Sequence, residues 1–322
     1  MFNSTHTLVG FGMTRAGLGR LAPHAVWTAV VAANLPDIDG LSAFYGTASY
    51  LAVHRGITHS VAGVLLLSFC LAVVMRCVAG NFTGQFAVAL LVMATHPALD
   101  FANAYGLRPL LPFVTQWVYG DVLFVIDPYI DLTLIGGLIA GRYASRHRAL
   151  IMGLALTLIA GYIATRVELR NTATRQLQAF VGAMPGHAAS CVTPRMLTPF
   201  TWTGIVETED AIFNVDVDVF KGPSAAVSRM RKPAESAVIA AARNTRSAGA
   251  LLAFARFPVI QTHTMSFGQR VEFIDFRFYR AGSRMSLAAV VDVNPSLEVI
   301  REEIGFTEGL NGAPSDSTDV RP

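Results

Sequence analysis

His6, Asp37 and Asp39 of LPDID, His54 and His59 of HRGITHS, and His96 and Asp100 of THPALD place imidazoles and carboxylates together within apolar sequence. These are the ligands of Zn²⁺, Mn²⁺ or Fe²⁺, and ionisable groups beside apolar helices are costly unless they pair or bind something. A polynuclear metal site is the expected reason for them. His96 and Asp100 are four apart, so on a helix they fall about 40° from one another on one face and can chelate a single ion. Asp37 and Asp39 flank Ile38 just after Pro36. There they can bridge two metals, or serve as an N-cap and a turn acid. His54 and His59 surround Arg55–Gly56 at a helix entrance that Ser60 can cap, and His6 adds an imidazole from the N-terminal helix. Mixed His/Asp ligation without thiolate argues for open coordination positions, which suits water activation and hydrolysis. Two or three divalent ions, Zn or Mn above others, are expected. Arg55 is placed either to clamp a phosphoryl oxygen and stabilise transition-state charge or to contact a lipid headgroup.

The elements that must carry these residues are membrane helices. Hydrophobic residues make up 52% of the 322 and charged residues 15%, a composition that expects lipid. Spans of about 20 apolar residues are predicted at 60–79, 82–101, 121–140 and 149–167, with two shorter helices at 4–18 and 24–35. Alternating spans bring His54, His59, Asp100 and Asp121 to one side of the bilayer. The arginines on short connections do not decide which side that is. The N-terminus shows no removable signal peptide pattern, so insertion relies on the internal helices. Asp121, Asp127 and Asp131 fall on the third predicted span. Asp121, level with the other ligands, is the first candidate for a further ligand or an acid that orients a histidine, and N-capping is its structural alternative. Asp127 is second, with pairing to an arginine as its alternative.

Beyond residue 170 the pattern changes to strand alternation, with Phe213, Val215, Val217 and Val219 against Asn214, Asp216 and Asp218. Strands are also expected at 202–208, 270–280 and 284–293, and helices at 235–243 and 247–255. The chain is therefore expected to be mainly α. A polytopic helical membrane domain with the metal site spans 1–170, a small water-facing α+β domain spans 171–312, and 313–322 form a disordered tail. Asp216 and Asp218 should be solvated on the outward face of their strand, and His24, His147, His187 and His263 have no acid at ligand spacing. The net charge of +3, with arginines scattered over short connections, excludes a nucleic-acid footprint. Cys70, Cys77 and Cys191 make neither a disulfide framework nor a zinc knuckle.

THTLVG at 5–10, ANLPDID at 33–39, HRGITHS at 54–60, THPALD at 95–100, LLPF at 110–113 and YGDVLFVIDP at 119–128 resemble the membrane-bound metal-dependent hydrolases of YdjM and YfhP type. The match runs in order through about the first 140 residues. The C-terminal portion also resembles the extra domain of the YfhP-type members. The resemblance implies a multi-pass cell-membrane protein assigned to metal-dependent hydrolysis, with His6, Asp37, Asp39, His54, His59, His96 and Asp100 at the family's motif positions. The His-x3-Asp helix pair is also similar to the all-helical zinc-dependent phospholipase C fold.

The expected activity is hydrolysis of a phosphoester or other ester in a lipid-like or small-molecule substrate, with membrane lipids as surroundings. Two other classes compete: a non-enzymatic metal-binding sensor that signals through its C-terminal domain, and an ion-transport protein with Asp127 and Asp131 lining a path.

Overall fold

A computed structural model describes residues 1–182, 184, 186–279 and 285–308; the expected tail at 313–322 lies outside them. The chain divides into two compact units, Met1–Val206 with Asn214–Ala226, and Glu207–Phe213 with Val227 onward. The expected boundary at residue 170 falls inside a continuous helix.

The first unit is built from α1 (Asn3–Ala16), α2 (Ala25–Asn34), α3 (Thr47–Val53), α4 (Val61–Ala79), α5 (Phe82–Phe101), α6 (Pro128–Tyr143) and α7 (Arg148–Val181). A 3-10 segment, Leu35–Tyr45, links α2 to α3, and a 3-10 turn, Ile57–His59, leads into α4. The caps are written locally. Ser60 accepts from Gly63 N at 3.0 Å to start α4, and Asn81 accepts from Gly84 N at 3.1 Å to start α5. Buried Val88, Ala89, Val92, Met93, His96, Leu99 and Asp100 recur at helical spacing along one face of α5. That spacing carries both site residues of this helix into the interior. The small face of α2, Ala25, Ala29, Ala32 and Ala33, is buried and lets neighbouring backbones come close. At Gly10 of α1 an added Cβ would meet Val92 at 2.9 Å and the Ala29 carbonyl at 3.1 Å.

Among the described residues three helical stretches are long and apolar enough to cross a bilayer: Val61–Ala79, Phe82–Phe101 and Ser145–Val181. Leu65, Leu66, Phe69, Val74 and Val78 of α4 and Leu150, Leu154 and Leu158 of α7 are exposed, as lipid-facing side chains must be. This is a multi-pass cell-membrane protein. The span expected at 121–140 is corrected: α6 begins only at Pro128 and has 16 residues. Residues 122–126 are apolar, but the amides at the start of this stretch are already committed. Val122 N and Leu123 N donate to the Ala102 carbonyl at 2.7 and 2.8 Å, and Gly120 N donates to Phe101 O at 2.7 Å. Asp127, rather than Asp121, caps α6, accepting from Tyr129 N at 3.1 Å with Pro128 in the first turn.

One four-stranded sheet has the order β1 (His187–Arg195), β2 (Thr198–Thr208), β3 (Ala211–Asp218), β4 (Gly222–Arg231). The second unit contains α8 (Ala237–Arg243), α9 (Arg246–Phe254) and an antiparallel meander of β5 (Pro258–Met265), β6 (Gly268–Asp275), β7 (Met285–Val293) and β8 (Val299–Glu308). α8 and α9 pack on that sheet. The mainly helical domain with a small α+β domain is thus observed. β3 alternates as expected: Val215 and Val217 are buried, while Asp216 pairs with Arg195 at 2.7 Å and Asp218 accepts from Phe220 N at 2.9 Å. β1, β4, β5 and β8 were not expected.

Candidate metal centre

The seven residues singled out by type come together where α4 starts and α5 ends, six of them in two groups of ligand atoms and His6 stacked beside them. His59 Nε2 and His96 Nε2 face each other at 3.2 Å. Asp37 Oδ1 lies 3.4 Å from each of them, and Asp100 Oδ2 lies 3.3 Å from His59 and 3.4 Å from His96. Five of the six distances among these four atoms are thus 3.2–3.4 Å, and all four lie within 4.8 Å of one another. Donors spaced by about 3.3 Å around a common centre lie about 2.0 Å from it, within the bond lengths of roughly 2.0–2.2 Å that Zn²⁺ makes to N and O. The donor set therefore fits a divalent cation in both chemistry and spacing. A second group of ligand atoms is drawn from Asp37, Asp39 and His54.

The rings are held from behind, as ligand histidines are. His96 Nδ1 lies 2.6 Å from the Ala33 carbonyl, which can only accept, so this nitrogen carries the proton and the Nε2 lone pair faces the cluster. His59 Nδ1 lies 3.3 Å from Asp39 Oδ2. Burial pushes the His59 imidazole down, but Asp100, Asp37 and Asp39 outweigh it and raise it to about 10. Three carboxylates that favour a proton on this ring favour a bound cation by the same field. Burial likewise pushes the Asp37 and Asp39 carboxyls up, yet the imidazoles beside them hold both well below the usual carboxylate range.

Asp39 differs from Asp37 in how its oxygens are used. Its Oδ1 faces His54 Nδ1 at 2.8 Å, and its Oδ2 accepts from Arg55 N at 3.0 Å and Thr58 Oγ1 at 2.6 Å. His6 stacks on His96 with ring centroids 3.7 Å apart, and its Nε2 is 3.6 Å from Asp100 Oδ1. Both of its ring nitrogens are buried without a hydrogen-bond partner, and burial pushes the ring down to about 4. His6, expected as a ligand, belongs to neither group of ligand atoms. The buried Met1 amine also contacts Asp100 Oδ1.

Arg55 is buried against this centre rather than set on the surface, which disfavours the headgroup alternative. It has φ +56°, its NH2 lies 2.9 Å from Asp100 Oδ1, its NH1 donates to Asn103 Oδ1 at 2.9 Å, and its guanidinium lies over the Tyr105 ring at 4.5 Å. Asp121 is buried at φ +55°, and Arg170 NH2 lies 4.0 Å from its Oδ2. It is not part of either group of ligand atoms. Asp127 accepts from Tyr162 OH at 3.0 Å, and Asp131 accepts from Thr5 Oγ1 at 2.7 Å. Asn103, Thr58 and the Ala33 carbonyl were missed in the sequence. Asn103 had a signal, since it continues the His96–Asp100 face by three residues.

The family model described as YdjM inner membrane protein matches residues 1–172, the stretch that holds every residue of this centre. The chain belongs to the YdjM inner membrane protein family. The description YfhP C-terminal alpha/beta plait domain matches residues 237–311, which cover α8, α9 and the β5–β8 sheet. A relative, the uncharacterized protein YfhP of Bacillus subtilis (strain 168), is 25% identical over 326 residues, covering 95% of each chain. No solved structure matches. For a YdjM-family chain the buried centre is thus the feature that calls for a function.

Proposed function

We propose that this protein is a membrane metal-dependent hydrolase that cleaves a phosphoester or other ester in an amphiphilic substrate, with Zn²⁺ or Mn²⁺ as cofactor. The observation that carries the reading is the close set of His59, His96, Asp37 and Asp100 ligand atoms with Arg55 fixed beside it. His59, His96, Asp37 and Asp100 would hold one ion, and Asp37, Asp39 and His54 a second. When bound, a divalent cation supplies the Lewis acidity that brings ionisation of water toward neutral pH and polarises the scissile group. Arg55, pinned by Asp100 and Asn103, keeps a positive charge where an anionic transition state forms. Asp39 holds the rings of His54 and His59 in place.

The amphiphilic substrate is supported by the surroundings of the mouth. Asp37 is the most open carboxylate of the centre, with 16% of its side chain exposed. It lies in the Leu35–Tyr45 3-10 segment, where residues three apart eclipse. Ile38, Leu41 and Phe44 form such a row and are all exposed, Phe44 at 87%. Phe113 is equally exposed on the loop whose Pro109 carbonyl accepts from Val61 N at the start of α4. An apolar rim at the end of a span suits a ligand lying in the lipid interface. The test is hydrolysis of short-chain phospholipids and carboxylic esters by the purified protein in detergent. Turnover that chelator abolishes, Mn²⁺ or Zn²⁺ restores and Asp37→Ala removes supports the reading. Full metal loading without turnover across the panel favours the sensor.

A further inference from the structure

Asn103 lies one turn past Asp100, fully buried, and its amide orientation is fixed by its neighbours. Its Oδ1 accepts from both Arg55 NH1 and Tyr105 N, each at 2.9 Å. Two donors on one atom settle which end of the amide is oxygen. The Nδ2 group is thereby turned away from both, buried and without a hydrogen-bond partner. Arg55 repeats the pattern: NH1 and NH2 are engaged by Asn103 and Asp100, while its buried Nε has no hydrogen-bond partner. Two unmatched N–H donor groups, joined through a single guanidinium, adjoin the metal centre. Buried donors are rarely left unmatched, and those that are call for a reason, such as a role in the chemistry or a bound ion. These groups donate only, one of them is cationic, and neither can ligate a metal.

We infer that Arg55 Nε and Asn103 Nδ2 are donors of an oxyanion subsite that binds separate oxygens of a phosphoryl group of the substrate, with Asn103 as a substrate-binding residue. The inference rests on the hydrolase reading for its biological substrate and narrows that substrate from esters in general to phosphoesters. A tetrahedral phosphoryl group has oxygens to spare for a donor pair while others face the metal centre, and its charge matches guanidinium. A neutral carboxylic ester offers a single carbonyl oxygen and no charge.

The full chain in detergent is titrated with inorganic phosphate and with a short-chain phosphatidate below its micelle concentration, before and after chelation. Metal content is measured on each sample. The variant Asn103→Asp keeps the acceptor that Arg55 and Tyr105 use but replaces the Nδ2 donor with negative charge. It is expected to bind phosphate at least about tenfold more weakly than wild type, with unchanged metal content. In wild type carrying ¹⁵N-asparagine, phosphate is expected to shift the Asn103 side-chain amide signal, a readout that needs no variant to fold. Equal phosphate affinity in wild type and variant, an unmoved amide signal, or no phosphate binding by wild type would each overturn the subsite. Equal affinity for phosphate and phosphatidate marks a water-soluble phosphoester as the source, and a tenfold preference for phosphatidate marks a lipid headgroup; either supports the subsite. Wild type that loads no divalent ion defeats the hydrolase reading alone, since phosphate binding by that sample still decides the role of Asn103.

Discussion

His54 Nδ1 and Asp39 Oδ1 lie 2.8 Å apart, and the second oxygen of the same carboxylate receives Arg55 N and Thr58 Oγ1. Asp39 is therefore a tie between the 3-10 segment and the HRGITHS turn. Asp37, two residues earlier, pairs with the Nε2 atoms of His59 and His96. The two aspartates should fail differently. Asp39→Ala strands several buried donors, and breaking such an arrangement costs about 3–5 kcal/mol. Asp37→Ala should leave metal-free stability within about 1 kcal/mol of wild type and abolish loading of the four-ligand group. Thermal unfolding and metal content of the two variants check this, and equal losses of stability would refute it.

Removing the cation should be visible in wild type. A ligand present at about a thousand times its Kd stabilises the folded state by about 4 kcal/mol. Chelation should lower the melting temperature, with Zn²⁺ or Mn²⁺ restoring it. In His96→Ala, chelation should lower the melting temperature less than it does in wild type, since one of the two ligand groups is lost. A wild-type melt indifferent to chelator would show that no ion is held.

Gly63 fixes the approach of α4 to the turn that carries His59. A Cβ there would fall 1.8 Å from the Ile57 carbonyl oxygen and 3.0 Å from Thr58 Cα. The obstacle is backbone, so the Ile57–His59 turn must move. Gly63→Ala should cost about 3 kcal/mol or more and reduce metal loading. Gly161 in α7 has open space around its missing Cβ, and Gly161→Ala should be neutral or stabilising by up to about 1 kcal/mol. Comparable losses in both variants would mean that the strain at Gly63 is not what matters.

The metal-ligand chemistry was legible in the sequence because it is written in local units. His96 and Asp100 share a helical face by spacing alone, and PDID and HRGITHS each keep their ligands within a few residues. The third span begins later than hydropathy suggests, because the apolar run 122–126 is counted without asking where its amides go. Gly120, where a Cβ would meet Phe101 O at 2.5 Å, and Asp121 in the left-handed region steer that stretch along the end of α5. The Asp127–Pro128 pair already carried the correct start signal. Asn103 continues the His96–Asp100 face, but its role depends on Arg55, 48 residues away. No local pattern encodes that meeting.

Phe44 and Phe113 give the interfacial reading its own test. Transfer of a phenylalanine side chain out of water contributes about 1.5–3 kcal/mol. Replacing either exposed ring with serine should therefore slow hydrolysis of micellar substrate by about tenfold or more. The rate on a monomeric soluble ester and the metal content should stay at wild-type levels. Equal losses on both substrate forms would place these residues in the folding of the site rather than at a lipid surface.

Glu272 on β6 gives the second unit a predictable pH response. It pairs across the sheet with Gln261 of β5 and Val290 of β7 and is buried. Burial pushes its carboxyl above the ordinary value of 4.5, against the opposing pull of His263 and Arg270, while Asp292 pushes it further up. The folded state thus holds the proton more tightly than the unfolded chain. Stability from this group is fully present below about pH 4.5 and is lost as pH rises through the raised folded value. Glu272→Gln removes the titration, so protection of β6 and β7 amides against hydrogen exchange should exceed wild type near neutral pH. The difference should vanish toward pH 4. Weaker protection in the variant at neutral pH would mean instead that the charged carboxylate holds Arg270 or His263 in place.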